Sequence, residues 1–454
     1  MKWTVLFVIH GLGDGLEEQS RVLTHVVGYG PWQLKHTNLL FLKSDTGYGR
    51  KKEMITSDLY MVNPRSKKIK GEKDYIRCRR FRDINIGNSY RLTGIFSYVR
   101  EHFPSEKLMI VFFDHGAGFG LFESIPERGS KKYTFTMNEV DDELRDKKYH
   151  HTRKLFVPAK AAEKPSGKKT AGSPEAMDTV ERLKFFRKKY SHTDMLTMEE
   201  LSVALRRGFR RKVDVMVMVN CNMQMIETGY SLRKNVHYLV GSETMFWIYG
   251  INYREMLFRI DRILQIPTRY VADKCIDTLP VRYQRIKKEK SLNEVGFAAV
   301  DLEKMEPVYR KLDELAVKLT AGIKQNFAMI RKARNAGVEL SQYNLPFEQT
   351  DGYEPSFFYD LLFFLKNLKG YENEVKEIEA LLKQAIVNSY IGSDFKKGKK
   401  QLVNGVSVFL PFEKDDFDMT YFNLFYKNGA KFRVDFARTA WGKFLYAIKK
   451  EAAG

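Results

Sequence analysis

Three runs in the chain are apolar at nearly every position: Trp3–Ile9 (WTVLFVI), Lys107–Phe113 (KLMIVFF) and Val213–Val219 (VDVMVMV). Continuous runs of this length, rich in β-branched residues, read as parallel strands buried on both faces. Each stops at a turn: Gly11 and Gly13 after the first, Asp114-His115-Gly116 after the second, Asn220-Cys221 after the third. Leu39–Leu42, Tyr238–Val240 and Val406–Leu410 are shorter strands, and the basic, Tyr-containing stretch 50–82 reads as a hairpin at the sheet edge. Helical spacing fills the intervals. It covers Leu16–Val27 and the segment where Leu92, Ile95, Phe96 and Val99 share a face ahead of Pro104. In LTMEELSVALRRGF, Thr197 and Glu200 form a capping box and Leu201, Ala204 and Leu205 face inward. Met225–Leu232 is also helical. Strands alternating with helices imply right-handed crossovers and a mostly parallel sheet.

From about residue 300 the pattern is mainly helical. Met305, Val308, Leu312, Leu315, Leu319, Phe327 and Ile330 keep one long helical period, helices follow near 356–368 and 373–389, and the final 432–448 stretch is mixed. The chain thus divides into an α/β region, 1–299, and a C-terminal region, 300–454, packed on it. A length of 454 residues suits that division, at roughly 100–200 residues per domain.

Composition changes the picture in one place. Residues 157–176 (VPAKAAEKPSGKKTAGSPEA) carry three prolines, two glycines and almost no large apolar side chains. That stretch cannot bury enough surface to offset its ordering entropy, so a mobile, basic, protease-accessible loop is expected over about 140–190. Much of the net charge of +21 sits between Lys147 and Lys212. No zinc-knuckle or RNA-recognition signature accompanies it, so a solvated linker is expected and nucleic-acid binding is not. Three cysteines, Cys78, Cys221 and Cys275, without CxxC spacing exclude a disulfide framework and a zinc site. No run is long enough for a membrane span. The apolar N-terminus lacks a small-residue cleavage site and runs into a glycine turn, as a core strand would.

In open parallel sheets working residues gather where strands end. Two of the most apolar strands end in a catalytically capable residue, His115 and Cys221. If the two strands are neighbours, imidazole and thiol share an edge, and a thiol is a nucleophile only as the thiolate that a base supplies. Gly116 would allow close approach of a carbonyl, and the N–H groups of Gly116 and Cys221 could bind the developing oxyanion. The plain alternative is a buried small hydrophobe at 221 and a turn histidine at 115. Other candidates are weaker. His10-Gly11 and Asp14 read as a turn beside the same edge, because the G-x-S-x-G elbow of α/β-hydrolases is missing. GLGDG lacks dinucleotide spacing, and His150 and His151 lie in the basic stretch. Cys78, between Arg77 and Arg79, could be activated but lacks a strand-end setting, and Cys275 reads as core.

Asp114-His115-Gly116-Ala117-Gly118 after an apolar strand, and CNMQMIETGYSLR after another, resemble the clostripain family of cysteine peptidases. Glu227, Tyr230 and the 239–243 segment LVGSE fit the same pattern, with weaker echoes from KWTVLFV to GVSVFLPF. The resemblance implies a caspase-like α/β/α sandwich and an endopeptidase using a Cys221–His115 dyad on protein or peptide substrates. It further implies a monomeric enzyme of a bacterial exterior (secreted, periplasmic or cell-surface) and activation by cleavage between His115 and Cys221, which lies 106 positions later. Calcium is possible by the same resemblance, although no Asp-rich loop has ligand spacing. The family typically places Asp two residues before the nucleophile, in a pocket selecting Arg or Lys; here that residue is Val219. Downstream, Ser242-Glu243-Thr244-Met245-Phe246-Trp247 turns apolar in its second half. A buried cation needs a carboxylate, so the expectation is a weakened preference for basic P1 residues, unless the Glu243 side chain points into the pocket. The same departure makes Lys160, Lys168 and Lys169 doubtful sites of self-cleavage. With Asn220, and with Asn222 and Gln224 where the family usually has Leu and Gly, it leaves a rival reading: a scaffold that has lost catalysis and binds a protein or an anionic partner.

Overall fold

In a computed structural model the described residues are 1–10, 34–46, 55–62, 75–82, 89–113, 116, 118–123, 194–247, 249–342, 356–397, 400–417, 421–430 and 433–453. The strands are β1 (Trp3–His10), β2 (Thr37–Thr46), β3 (Ile55–Val62), β4 (Tyr75–Arg82), β5 (Lys107–Phe113), β6 (Gly120–Glu123), β7 (Asp194–Thr197), β8 (Val213–Val219), β9 (Val236–Ser242), β10 (Gly296–Asp301), β11 (Phe358–Asp360), β12 (Ile386–Ile391) and β13 (Ser407–Phe409). Nine of them form one sheet in the order β12-β10-β9-β8-β5-β1-β2-β3-β4. The five central strands, β9-β8-β5-β1-β2, run parallel. Both flanks are antiparallel, so the sheet is mixed rather than mostly parallel. The departure lies at the edges, where the expected hairpin β3–β4 closes one side and β10 and β12 close the other.

The all-apolar runs make the centre. Alternate side chains of each strand enter opposite cores: Leu6, Val8, Ile110, Phe112, Met216 and Met218 on one face, Val5, Phe7, Val111, Val217 and Val219 on the other. The first face is covered by α1 (Ser89–His102), α2 (Met198–Phe209) and α3 (Ile226–Leu232), and by the C-terminal helices α7 (Glu306–Ala321), α8 (Ile323–Asn335), α9 (Leu361–Lys366), α10 (Glu372–Ala385) and α11 (Ala440–Ala452). The second is covered by α4 (Tyr253–Arg262), α5 (Thr268–Asp277) and α6 (Leu279–Arg285). This is an α/β/α sandwich.

The capping box forms as read: the Thr197 hydroxyl accepts from the Glu200 N–H at 3.1 Å and the Glu200 carboxylate accepts from the Thr197 N–H at 3.0 Å. One other reading needs correction. The helix expected to continue to 389 stops at Ala385, and the β-branched pair Ile386-Val387 opens β12, which completes β10. A division at 299/300 falls inside β10, and the region beyond it supplies a strand of the main sheet and much of the first-face core. The proposed helix 16–27 and the loop 140–190 lie outside the described residues.

Candidate active site

β5 and β8 are neighbours in parallel register, and their last pair is Phe113 with Val219. Both chains therefore leave the sheet at the same edge. After β8, Cys221 occupies a tight turn and is 6% exposed. Its Sγ lies 3.9 Å from the Phe246 carbonyl oxygen. Asn222 is left-handed at φ +56°, a conformation that Asn tolerates better than most side chains. The Asn222 N–H donates to Thr244 O at 3.0 Å, the Gln224 N–H to Ser242 O at 2.9 Å, and Asn222 Nδ2 to Glu243 O at 2.8 Å. The turn is thus fastened to the end of β9.

The other side of the turn meets the segment after β5. A methyl group on Gly116 would stand 2.5 Å from the Cys221 carbonyl oxygen and 2.8 Å from the Asn220 Cβ, so only glycine fits. Gly118, at φ +77°, accepts through its carbonyl from the Thr228 hydroxyl. Asp114, His115 and Ala117 lie outside the described residues, as do Asp14, His150, His151 and the three loop lysines; His10 closes β1. Gly116, Val219 and Cys221 are brought together at one sheet edge.

The residues expected around a specificity pocket separate into two groups. Val219 joins the second-face core with Phe113 and Phe246, and the Phe246 ring stacks on Phe297 at 4.3 Å. Trp247 is part-exposed and stacks on Tyr249. Ser242 and Glu243, by contrast, point into the protein. The Ser242 hydroxyl donates to Gly296 O at 3.0 Å. Glu243 is 0% exposed, and its Oε2 accepts from the Gly405 N–H at 2.7 Å. Burial and the neighbouring Asp360 carboxyl push its pKa well above the usual carboxylate range. Asp360 is itself held by Asn404 and by the Phe363 N–H, whose helix α9 it caps. The Glu243 carboxyl is thus engaged with the Gly405 N–H beside Asp360.

Sequence reasoning also missed how far the C-terminal region frames this edge. The Ser407 N–H donates to Gln224 O at 3.0 Å, and Met225 and Ser407 form a parallel bridge. Glu227 is buried in α3, where its Oε1 accepts from the Tyr426 hydroxyl at 2.6 Å and the Phe409 N–H at 3.0 Å. Burial raises its pKa to about 7. No local signal could have paired Glu227 with a tyrosine 199 positions away.

The other thiols are ordinary. Partial burial pushes the Cys78 pKa up. Cys275 is buried beside the Met256 sulfur, and burial raises its pKa further. Among the described residues there is no group of three or more His, Cys, Asp or Glu that could hold a metal ion.

Comparison with known protein families matches residues 183–446, more than half of the chain, to the clostripain family. The chain belongs to the clostripain family. Over 254 residues it is 26% identical to clostripain of Hathewaya histolytica, a match covering 49% of this chain and 47% of that protein. It therefore spans about half the length of that curated relative. The fold is shared with iotapain, a secreted C11 cysteine protease from Bacteroides thetaiotaomicron (13% identical, TM-score 0.57, 98% of this chain and 99% of that one). It is also shared with an inactive zymogen C11 protease from Parabacteroides distasonis (13% identical, TM-score 0.51, 93% and 96%). At these identities the likeness is one of fold.

Proposed function

We propose that this clostripain-family protein is a cysteine endopeptidase with Cys221 as nucleophile and His115 as its base. The observation that carries the reading is the side-by-side ending of β5 and β8, with Gly116 packed against the carbonyl of Cys221. His115 is the residue immediately before that contact in the sequence. The imidazole takes the thiol proton, and the thiolate adds to the scissile carbonyl. The N–H groups of Gly116 and Cys221 stabilise the oxyanion. The imidazolium then protonates the leaving amine, and water hydrolyses the thioester. A peptidyl acyloxymethyl ketone series tests this. Alkylation of Cys221 should be abolished in Cys221→Ala and reduced at least a hundredfold in His115→Ala, on the order expected for a lost general base. Failure of every probe, whatever its P1 residue, would favour the non-catalytic reading.

The P1 preference belongs to the same proposal and is apolar rather than basic. Val219 and Phe246 offer no carboxylate, and that of Glu243 is held by Gly405 and Asp360. Strong selectivity for Arg or Lys in a P1-scanned fluorogenic library would overturn this part alone. Iotapain, which shares the fold, is a secreted protease, and this supports a place outside the cytoplasm. Among the described residues no helix is long and apolar enough to cross a membrane.

A further inference from the structure

The peptide unit joining Cys221 to Asn222 bridges two elements. Its carbonyl oxygen lies against Gly116, and its N–H donates to Thr244 O at 3.0 Å. In a trans peptide these groups point in opposite directions, so the unit spans the gap between the segment after β5 and the segment after β9. Two features of Asn222 hold it there. One is the left-handed backbone at φ +56°, which reverses the chain just beyond the thiol. The other is the side chain, buried at 3% exposure, whose Nδ2 donates to Glu243 O at 2.8 Å.

The acceptor side is well anchored. The Glu243 N–H donates to Gly296 O of β10 at 2.8 Å, and its carboxyl takes the Gly405 N–H at 2.7 Å. The Asn222 amide therefore joins the Cys221 turn to a residue fixed from two further directions. A glycine at 222 would satisfy the backbone angle equally well. It would not supply the strut.

We infer that Asn222 is a positioning residue that sets the orientation of Cys221 through its buried side-chain amide, an inference that rests on Cys221 being the nucleophile. It acts through the backbone from which the thiol projects. A misplacement of about 1 Å in such a group can cost on the order of a hundredfold in rate.

The test compares wild type with Asn222→Gly, which keeps the turn, and Asn222→Asp, which keeps the shape but cannot donate to Glu243 O. Cys221→Ala is the control. A fluorogenic peptide gives kcat and KM, and iodoacetamide gives the pH profile of Cys221 alkylation. Both variants should lower kcat roughly ten- to a hundredfold with KM within about twofold, and both should displace the alkylation profile. A kcat within about twofold of wild type in either folded variant overturns the inference. So does a loss confined to KM, which would make Asn222 part of the substrate-binding wall. If Cys221→Ala stays active, the nucleophile assignment fails first; if it is inactive and both Asn222 variants behave as wild type, only the positioning role fails.

Discussion

Glu227 sits six residues beyond the proposed nucleophile, fully buried, and its protonation state matters to the frame of the site. The carboxyl takes two hydrogen bonds on one oxygen, from Tyr426 and Phe409, while the other is buried without a hydrogen-bond partner. Burial outweighs those bonds and raises the pKa from its ordinary 4.5 to about 7. The folded protein therefore binds this proton more tightly than the unfolded chain. The resulting stability is fully present below pH 4.5 and is lost as the pH rises through about 7. The shift corresponds to about 3 kcal/mol. In a Cys221→Ala background, which excludes any self-digestion by the proposed activity, Glu227→Gln should flatten that part of the pH dependence. Urea midpoints at pH 4 and pH 8 read it: wild type should lose about 3 kcal/mol more than the glutamine variant, and parallel losses would contradict the assignment. Glu227 also shows what a sequence reveals at this scale. Its place in a helix after the cysteine was legible from local spacing. Its partners were not, because Tyr426 and Phe409 arrive from distant parts of the chain. Glu243 illustrates the same limit, since its place just after a strand was readable but its direction depends on Gly405 and Asp360.

Strands and helices set by local pattern were the most legible level. The buried strands ending at Phe113 and Val219, the edge hairpin and the capped helix α2 all follow from hydrophobic spacing and cap chemistry. β12 did not, because helical periodicity continues through its approach and only the open edge of β10 decides its form. The pairing of β6 with β7 was equally unreadable. It sets Glu123 opposite Asp194, so the intervening segment leaves and returns at one place. A cut there would divide the chain between β5 and β8 in the middle of the sheet, where α1 and α2 also meet through stacked Phe96 and Phe209. Parting the pieces would expose the core on both faces, at about 25 cal/mol per Å² of apolar surface. Limited trypsin digestion that cleaves only between 124 and 193 should therefore give two polypeptides that co-elute in gel filtration and separate only in denaturant. Dissociation without denaturant would show that the β5–β8 seam is weaker than its packing implies.

At the scale of the whole molecule, the C-terminal region shares the main sheet and the first-face core with the rest of the chain. It supplies β12 to the sheet, closes the first-face core with α7 to α11, and delivers Gly405, Ser407, Phe409 and Tyr426 to the frame around Cys221. Sequence pattern alone suggested a boundary near residue 300, because helices replace alternating strands there. Hydrophobic period reports which face of an element is buried, not which other element buries it. The fragment 1–299 would end inside β10 and uncover Met216, Met218 and Leu239. It would also leave the carboxyls of Glu227 and Glu243 without Tyr426 and Gly405, their partners in the intact fold. Expressed alone, 1–299 should lack a cooperative thermal transition and should not react selectively at Cys221 with the peptidyl probe that labels the full chain. A soluble fragment that melts cooperatively and is labelled at the full-chain rate would restore the boundary at 300 and assign the C-terminal contacts a purely peripheral role.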